Sequence, residues 1–355
     1  MSYEHGWAAI NLEMPPRVPR TEYSAETYHF DLIKEVTGIE INDKSSDMEK
    51  LKARQAFTKA WNYDYCFGLW GYTVSELGDK KRTRMGHAEF AANGSDMDSQ
   101  VDCPFKTPED VLSFDPYESY GKLDKNWLVK NFEESYKFNL NRTPDCVTSS
   151  GTYSTLISGL INTFGWDMLL LGLGTDPVRM GQVANRYADW MMQFMEALGE
   201  ADIPMVTIHD DIVWTSGPFV SPDWYREYVF PNFKKMFAPI IESGKKLAYC
   251  SDGTYTMFVD DIAQCGVDGF IMEPTTDMAY IAEKYGKTHF FIGNADTRIL
   301  LSGTKDDIRN EVKRCMDIGK NCPGFFMAVG NHIPANTPVE NALYYNECYN
   351  EMSVR

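Results

Sequence analysis

The chain is 355 residues long, 24% charged, and carries a formal net charge of −17. That length buries a large core, while the acidic balance disfavours nucleic acid, anionic membrane surfaces and highly anionic substrates, which all need clustered Lys and Arg. Eight cysteines without a CxxC, a start lacking the basic-then-apolar pattern of a signal peptide, and no apolar run approaching the ~20 residues of a membrane span predict a cytoplasmic protein with reduced thiols.

In chain order, PPRVPRTEY (15–23) and YCFGLWGY (65–72) predict the first two strands. WNYDYCFGLWGY at 61–72 is the densest aromatic patch, read either as core packing or as a pocket lined with rings. The polar stretch 91–110 reads as a loop that closes an N-terminal elaboration. Further strands are predicted at CVTSSGTY (146–153), MVTIHDDI (205–212), KLAYCSDG (246–253), GFIMEP (269–274), HFFIGNAD (289–296) and GFFMAVGNHIP (324–334). Helices open between them. Thr175-Asp176-Pro177 supplies a cap and a first-turn proline, Ser221-Pro222-Asp223 starts a helix that Pro231 bends or splits, and Thr304 starts another. Thr337-Pro338-Val339-Glu340 reads as a capping box before the last helix. This alternation implies a parallel sheet, and about eight strands make a TIM-like (β/α)8 barrel. No GxGxxG or Walker loop follows a strand, which counts against a doubly wound sheet and nucleotide cofactors.

In a barrel, the C-terminal strand ends converge on one mouth. Those ends collect Arg20 and Glu22, Trp70 and Tyr72, Tyr153, His209-Asp210-Asp211, Cys250 and Asp252, Glu273, Asn294 and Asp296, and Asn331 with His332. Each alone can be a cap or turn former, but reactive types recur at one end of every strand. In His209-Asp210-Asp211, one carboxylate can orient the imidazole or accept a proton while the other faces a helix N-terminus. Glu273 ends an apolar strand, where a carboxylate must meet a cation or metal or stay protonated. The catalytic candidates are therefore His209, Asp210, Asp211, Asp252 and Glu273. Trp70, Tyr72, Tyr153, Trp214 and Asn294 are candidates for holding substrate. Cys250, Asp252, Glu273 and His332 are residue types that zinc accepts, although they form no sequence-local zinc motif.

The segments HDDIVWTSGPFVSPDWYREYVFPNFKKM (209–236), CSDG (250–253), GVDGFIMEP (266–274), GNADTRILLSGTKDDIRNEV (293–312) and IPANTPVEN (333–341) together resemble the uroporphyrinogen decarboxylase superfamily. That superfamily holds porphyrinogen decarboxylases and cobalamin-dependent methyltransferases. The resemblance implies one barrel domain over 1–355, with 1–140 as elaboration and first strands and 141–355 as the core barrel, and a homodimer. The decarboxylases carry an arginine-rich segment resembling RQAGRY; the nearest stretch here is PRVPRTEYSAE, with Arg17 and Arg20. The methyltransferases usually carry zinc on a His-x-Cys pair and a distant Cys. In this sequence those places fall on Cys250 and Asp252 and on Asn331, beside His332. An oxygen-containing set suits a substrate oxygen better than a thiol.

The sequence therefore predicts a corrinoid-dependent methyltransferase. It would move a methyl group from a small donor, a methoxylated aromatic, to the cobalt of a separate corrinoid protein, with zinc or a proton polarising the ether oxygen. The alternatives are a decarboxylase of a tetrapyrrole or smaller carboxylate, and an acceptor-side methyltransferase passing methyl from corrinoid to a thiol or tetrahydrofolate. A non-catalytic corrinoid carrier is disfavoured, since no DxHxxG appears.

Overall fold

Short apolar runs separated by long amphipathic stretches wind a chain strand, helix, strand, so that successive strands lie parallel. The computed structural model describes residues 2–23, 25–68, 71, 77, 81–83 and 102–355. Its strands are Ser150–Thr152 (β1), Met205–His209 (β2), Lys246–Ser251 (β3), Gly269–Met272 (β4), Phe290–Ala295 (β5) and Phe325–Val329 (β6). They pair in sequential order, each pair parallel.

Two single bridges carry the ring further. Arg20 pairs in parallel with Met327 of β6, and Tyr65 pairs with Val147, just ahead of β1. Between them the Asp64 amide donates to the Arg20 carbonyl at 2.9 Å. The two bridged segments and the six strands thus supply the staves of the TIM-like barrel. Within the predicted strands at 15–23 and 65–72, Arg20 and Tyr65 carry these bridges, and residues 69, 70 and 72 lie outside the described residues.

Pleating sends alternate side chains to opposite faces. Met205, Ala248, Cys250, Ile271, Phe290, Ile292, Phe326 and Ala328 fill one buried cluster with Tyr65, Val147 and the helix residues Ala9 and Ile10. Val206, Ile208, Leu247, Tyr249, Phe270, Phe291, Phe325 and Met327 join the other, packed under the surrounding helices. The first cluster is the barrel interior, and the helix Ser2–Ile10 closes its floor. Gly6 makes that approach possible, because a Cβ there would stand 2.2 Å from the Asp64 carbonyl oxygen.

Arg20 and Glu22, expected at the mouth, hold the seam of the ring instead. Arg20 Nη2 donates to Glu22 Oε1 at 2.7 Å, and Glu22 Oε2 accepts from the Val329 amide at 2.9 Å. The guanidinium lies over the rings of Trp61 and Tyr349, 4.6 and 4.5 Å from their centroids. Both side chains are fully buried. Arg17 grips both oxygens of Asp64, each at 2.7 Å. Both N-terminal arginines are therefore committed to structure.

The helix starts follow their caps. Asp176 accepts from the Arg179 amide at the head of Pro177–Glu200, and Thr304 and Asp307 form a capping box. Pro231 splits its helix as expected: a π-turn over Tyr225–Val229 precedes Phe230–Glu242. The capping box expected at Thr337 does not form. Pro338 occupies the cap position of the last helix with extended backbone, so the Thr337 hydroxyl lies one residue too early to reach the first turn. One described helix, Ile157–Thr175, is long and apolar enough to cross a membrane by length and composition, which corrects the reading that no run approaches that length. It lies mostly buried and is broken at Gly165, where φ is 73°.

Candidate active site at the barrel mouth

The end of β2 distributes its residues by pleat. His209 is the last residue of the strand, in register with Cys250 of β3. Its ring points inward and stacks on Tyr153, with centroids 4.3 Å apart and planes within 9°. Burial pushes the imidazole down to about 3, so it is neutral. Asp210 points the other way, and its carboxylate accepts from the amides of Leu156 (3.0 Å), Ile157 (3.1 Å) and Ser158 (2.7 Å), at the start of the helix Ile157–Thr175. It satisfies donors that would otherwise be orphaned. Burial pushes its carboxyl up to about 7 against these bonds. Asp211 returns to the mouth: its Oδ1 is 3.4 Å from His209 Nε2 and accepts from the Asp252 amide at 2.8 Å. Its own amide donates to Ser158 Oγ at 2.7 Å.

The end of β3 repeats the alternation. Cys250 and Asp252 face the mouth, with Ser251 between them turned toward Ile212. Burial raises the Cys250 thiol well above its ordinary range, helped by Asp252, Asp211 and Glu273, so it is a thiol rather than a thiolate. Burial also raises Asp252, with the charges of Asp211 and Glu273 adding to it. Gly253 then turns the chain at φ +80°, and a Cβ there would lie 2.7 Å from the Trp214 carbonyl oxygen.

Glu273, after β4, is held at both oxygens. Oε2 accepts from the Gly253 amide at 2.7 Å and Oε1 from Asn331 Nδ2 at 2.6 Å. Asn331 Oδ1 in turn accepts the His332 amide at 2.7 Å. The His332 ring stands edge-on to Tyr23 and Tyr28, 6.1 Å from each. Tyr23 stacks flat on Phe67 at 4.2 Å.

Other expected site residues have different occupations. Asn294 Nδ2 donates to the Glu273 and Thr276 carbonyls, and its Oδ1 accepts from Arg314. That amide braces the barrel top. Asp296 caps the helix Thr297–Ser302 and pairs with Arg298. Trp214 lies on the rim, 42% exposed, with Trp166 and Phe219 at 5.5 and 5.6 Å. Trp70 and Tyr72 lie outside the described residues.

Among the described residues, one group brings His, Cys, Asp or Glu ligand atoms together: His209, Asp211 and Asp252, all within 4.8 Å of one another. Of the four residues expected to ligate zinc, only Asp252 belongs to it. Cys250, Glu273 and His332 lie around the same mouth outside that group. Tyr23, Trp166 and Phe219 were not singled out in the sequence, whereas Phe67 belongs to the aromatic patch at 61–72. The signal for Tyr23 was its place one residue past Glu22 on the first stave, facing the opposite way.

Comparison with known proteins follows the same geometry. The family model described as uroporphyrinogen decarboxylase (URO-D) matches residues 150–352. The uroporphyrinogen decarboxylase of Syntrophotalea carbinolica is 25% identical over 177 residues, 50% of each chain. That of Thermus thermophilus is 26% identical over 172 residues, 48% of each. The match thus spans about half the length of these curated relatives. A solved methyltransferase from Methanosarcina mazei superposes over 99% of this chain and 98% of its own, with a TM-score of 0.65 at 16% identity. That likeness shows a shared fold.

Proposed function

This chain belongs to the uroporphyrinogen decarboxylase family, and from that premise we propose that it is a methyltransferase taking a methyl group from a small methoxylated aromatic. The second substrate and methyl acceptor is the cobalt of a separate corrinoid protein. The observation that carries this reading is the chemistry of the mouth: carboxyl groups of Asp211, Asp252 and Glu273 beside aromatic faces, with Arg17 and Arg20 committed elsewhere. A polycarboxylate meets repulsion there, whereas a neutral aryl ether meets rings that hold it and groups that meet charge on its oxygen.

The roles follow from position. Tyr153, Tyr23 and the rim residue Trp214 present ring faces to an aromatic substrate. The methyl–oxygen bond breaks as cobalt(I) attacks the methyl carbon in line, and the bonding pair leaves on the aryl oxygen. A phenolate leaves slowly unless that charge is met as it develops. The corner formed by His209, Asp211 and Asp252 is placed to do so, through a proton on Asp252 or a cation held there. Glu273 orients the corner through the Gly253 amide. The sulfur-rich zinc set implied by the resemblance does not fit these residues: its places fall on Cys250, Asp252 and Asn331, of which one carries sulfur, and Asn331 spends its amide on Glu273.

In this proposal the whole chain is one barrel domain in a homodimer, and the corrinoid protein docks at the mouth. The second reading, decarboxylation, rests on the names of the curated relatives. The test is anaerobic incubation of the protein with neutral methoxyarenes such as methoxyphenols and cob(I)alamin, with formation of the demethylated phenol followed by chromatography. Phenol release that depends on protein and cobalt(I) supports methyl transfer. Its absence across the panel, with carbon dioxide released from uroporphyrinogen, establishes the decarboxylase instead.

A further inference from the structure

We infer that His209, Asp211 and Asp252 form a divalent-cation site of one nitrogen and two oxygen donors, without thiolate, that binds the oxygen of the substrate. The inference rests on the reaction proposed above and specifies how charge on the leaving oxygen is met: by a cation rather than by a proton.

Geometry carries it. The three ligand atoms converge within 4.8 Å of one another. His209 Nε2 stands 3.4 Å from Asp211 Oδ1. A charge-assisted hydrogen bond between them would close to about 2.8 Å, whereas two donors each about 2.0–2.1 Å from a tetrahedral zinc lie about 3.4 Å apart. The pair is thus compatible with neighbouring ligands of one ion. The strands enforce that spacing. His209 and Cys250 are paired across β2 and β3, so Asp211 and Asp252, two residues on, leave the barrel side by side on the same face.

The groups around the triad hold it in shape. Tyr153 fixes the imidazole plane by stacking. The Asp252 amide and Ser158 Oγ fix the Asp211 segment, and Gly253 is tied to Glu273. Such outer contacts orient metal ligands. Three carboxyl groups gathered at one mouth gain from a cation, and a set of three protein ligands, as found among the described residues, matches the catalytic pattern in which a substrate oxygen takes the fourth position. An N, O, O set favours oxygen-bearing substrates and disfavours thiols. Methoxyarenes, whose leaving atom is oxygen, are thereby selected over methyl thioethers.

The test uses the full chain stripped by chelator and dialysed, titrated with zinc or cobalt(II) by calorimetry, with metal content measured after gel filtration. One ion per chain is expected. His209→Gln and Asp252→Asn should weaken binding on the order of 100-fold, while Cys250→Ser and His332→Gln stay within about threefold of the unaltered protein. The cobalt-loaded protein should show visible d–d bands without a thiolate-to-cobalt charge-transfer band. Circular dichroism checks that each variant is folded, and Asp211→Asn replaces any that is not. Loss of metal in Cys250→Ser, a thiolate charge-transfer band, or no stoichiometric metal overturns the site. One bound ion lost on His209→Gln, with no transfer from any methoxyarene, upholds the site and defeats the proposed reaction.

Discussion

His209, Asp210 and Asp211 are three successive residues with three environments, and the alternation of an extended chain assigns them. His209 turns inward against Tyr153, Asp210 outward to three helix amides, and Asp211 inward again beside Asp252. The histidine has a measurable signature. Its folded value of about 3 lies below the ordinary 6.5. Between those values the unfolded chain binds a proton that the folded chain refuses. The contribution is therefore present above about pH 6.5 and lost as pH falls toward about 3. In metal-free protein, the urea midpoint should drop between about pH 6.5 and 4.5, with His209 accounting for up to roughly 2 kcal/mol. In His209→Gln that part of the drop should vanish; parallel pH profiles would show that the ring is not buried neutral.

Elements position the site through their ends. The helix Ile157–Thr175 has no cap of its own at Leu156, and Asp210 from the neighbouring strand supplies one. Asp210→Ala should cost about 2 kcal/mol or more, since it removes a cap and strands buried amides. Thermal unfolding and proteolysis near residue 157 would report it, and an unchanged melting temperature would contradict the capping role. Gly253 is the corresponding point on the loop after β3. Gly253→Ala adds a Cβ at φ +80° and 2.7 Å from the Trp214 carbonyl, which should cost about 1–2 kcal/mol and displace the Glu273 contact. Substrate turnover should fall more than tenfold while secondary structure by circular dichroism stays the same. Wild-type turnover in that variant would mean the loop is tolerant.

At the scale of the whole molecule, the buried Arg20–Glu22 pair joins the first stave to β6 and the last helix. Removing one partner strands a buried charge, so Arg20→Met or Glu22→Leu alone should cost about 3–5 kcal/mol, while the double substitution should cost much less. Denaturant melts of the three variants distinguish this from an additive loss. This pair also shows where the sequence was misleading. Arg20 and Glu22 follow an apolar stretch as site residues do, and only closure of the ring, which joins residue 20 to residue 327, reveals them as a seam. Most of the barrel was legible because β2 to β6 are short apolar runs between capped helices. The first two staves were harder, since among the described residues they join their neighbours through isolated bridges rather than strand ladders. The site was partly legible. His209, Asp211 and Asp252, all expected in the site, come together in the structure, while Cys250, Glu273 and His332, expected with Asp252 as zinc ligands, lie around the same mouth outside that group. The convergence depends on strands 205–209 and 246–251 being in register, a pairing that no local motif records. Asn294 and Asp296 looked like site residues and instead brace and cap, which polar residues after strands commonly do.

Methyl transfer is tested most directly by the cobalt itself. The protein is mixed anaerobically with cob(I)alamin and a neutral methoxyphenol while the absorbance of cobalt(I) and methyl-cobalt is followed, and the same preparation is given uroporphyrinogen with carbon dioxide trapped. Loss of the cobalt(I) band with gain of methyl-cobalt, weakened by Asp252→Asn and unaccompanied by carbon dioxide from uroporphyrinogen, is the predicted result. An unchanged cobalt(I) spectrum together with carbon dioxide release would contradict it.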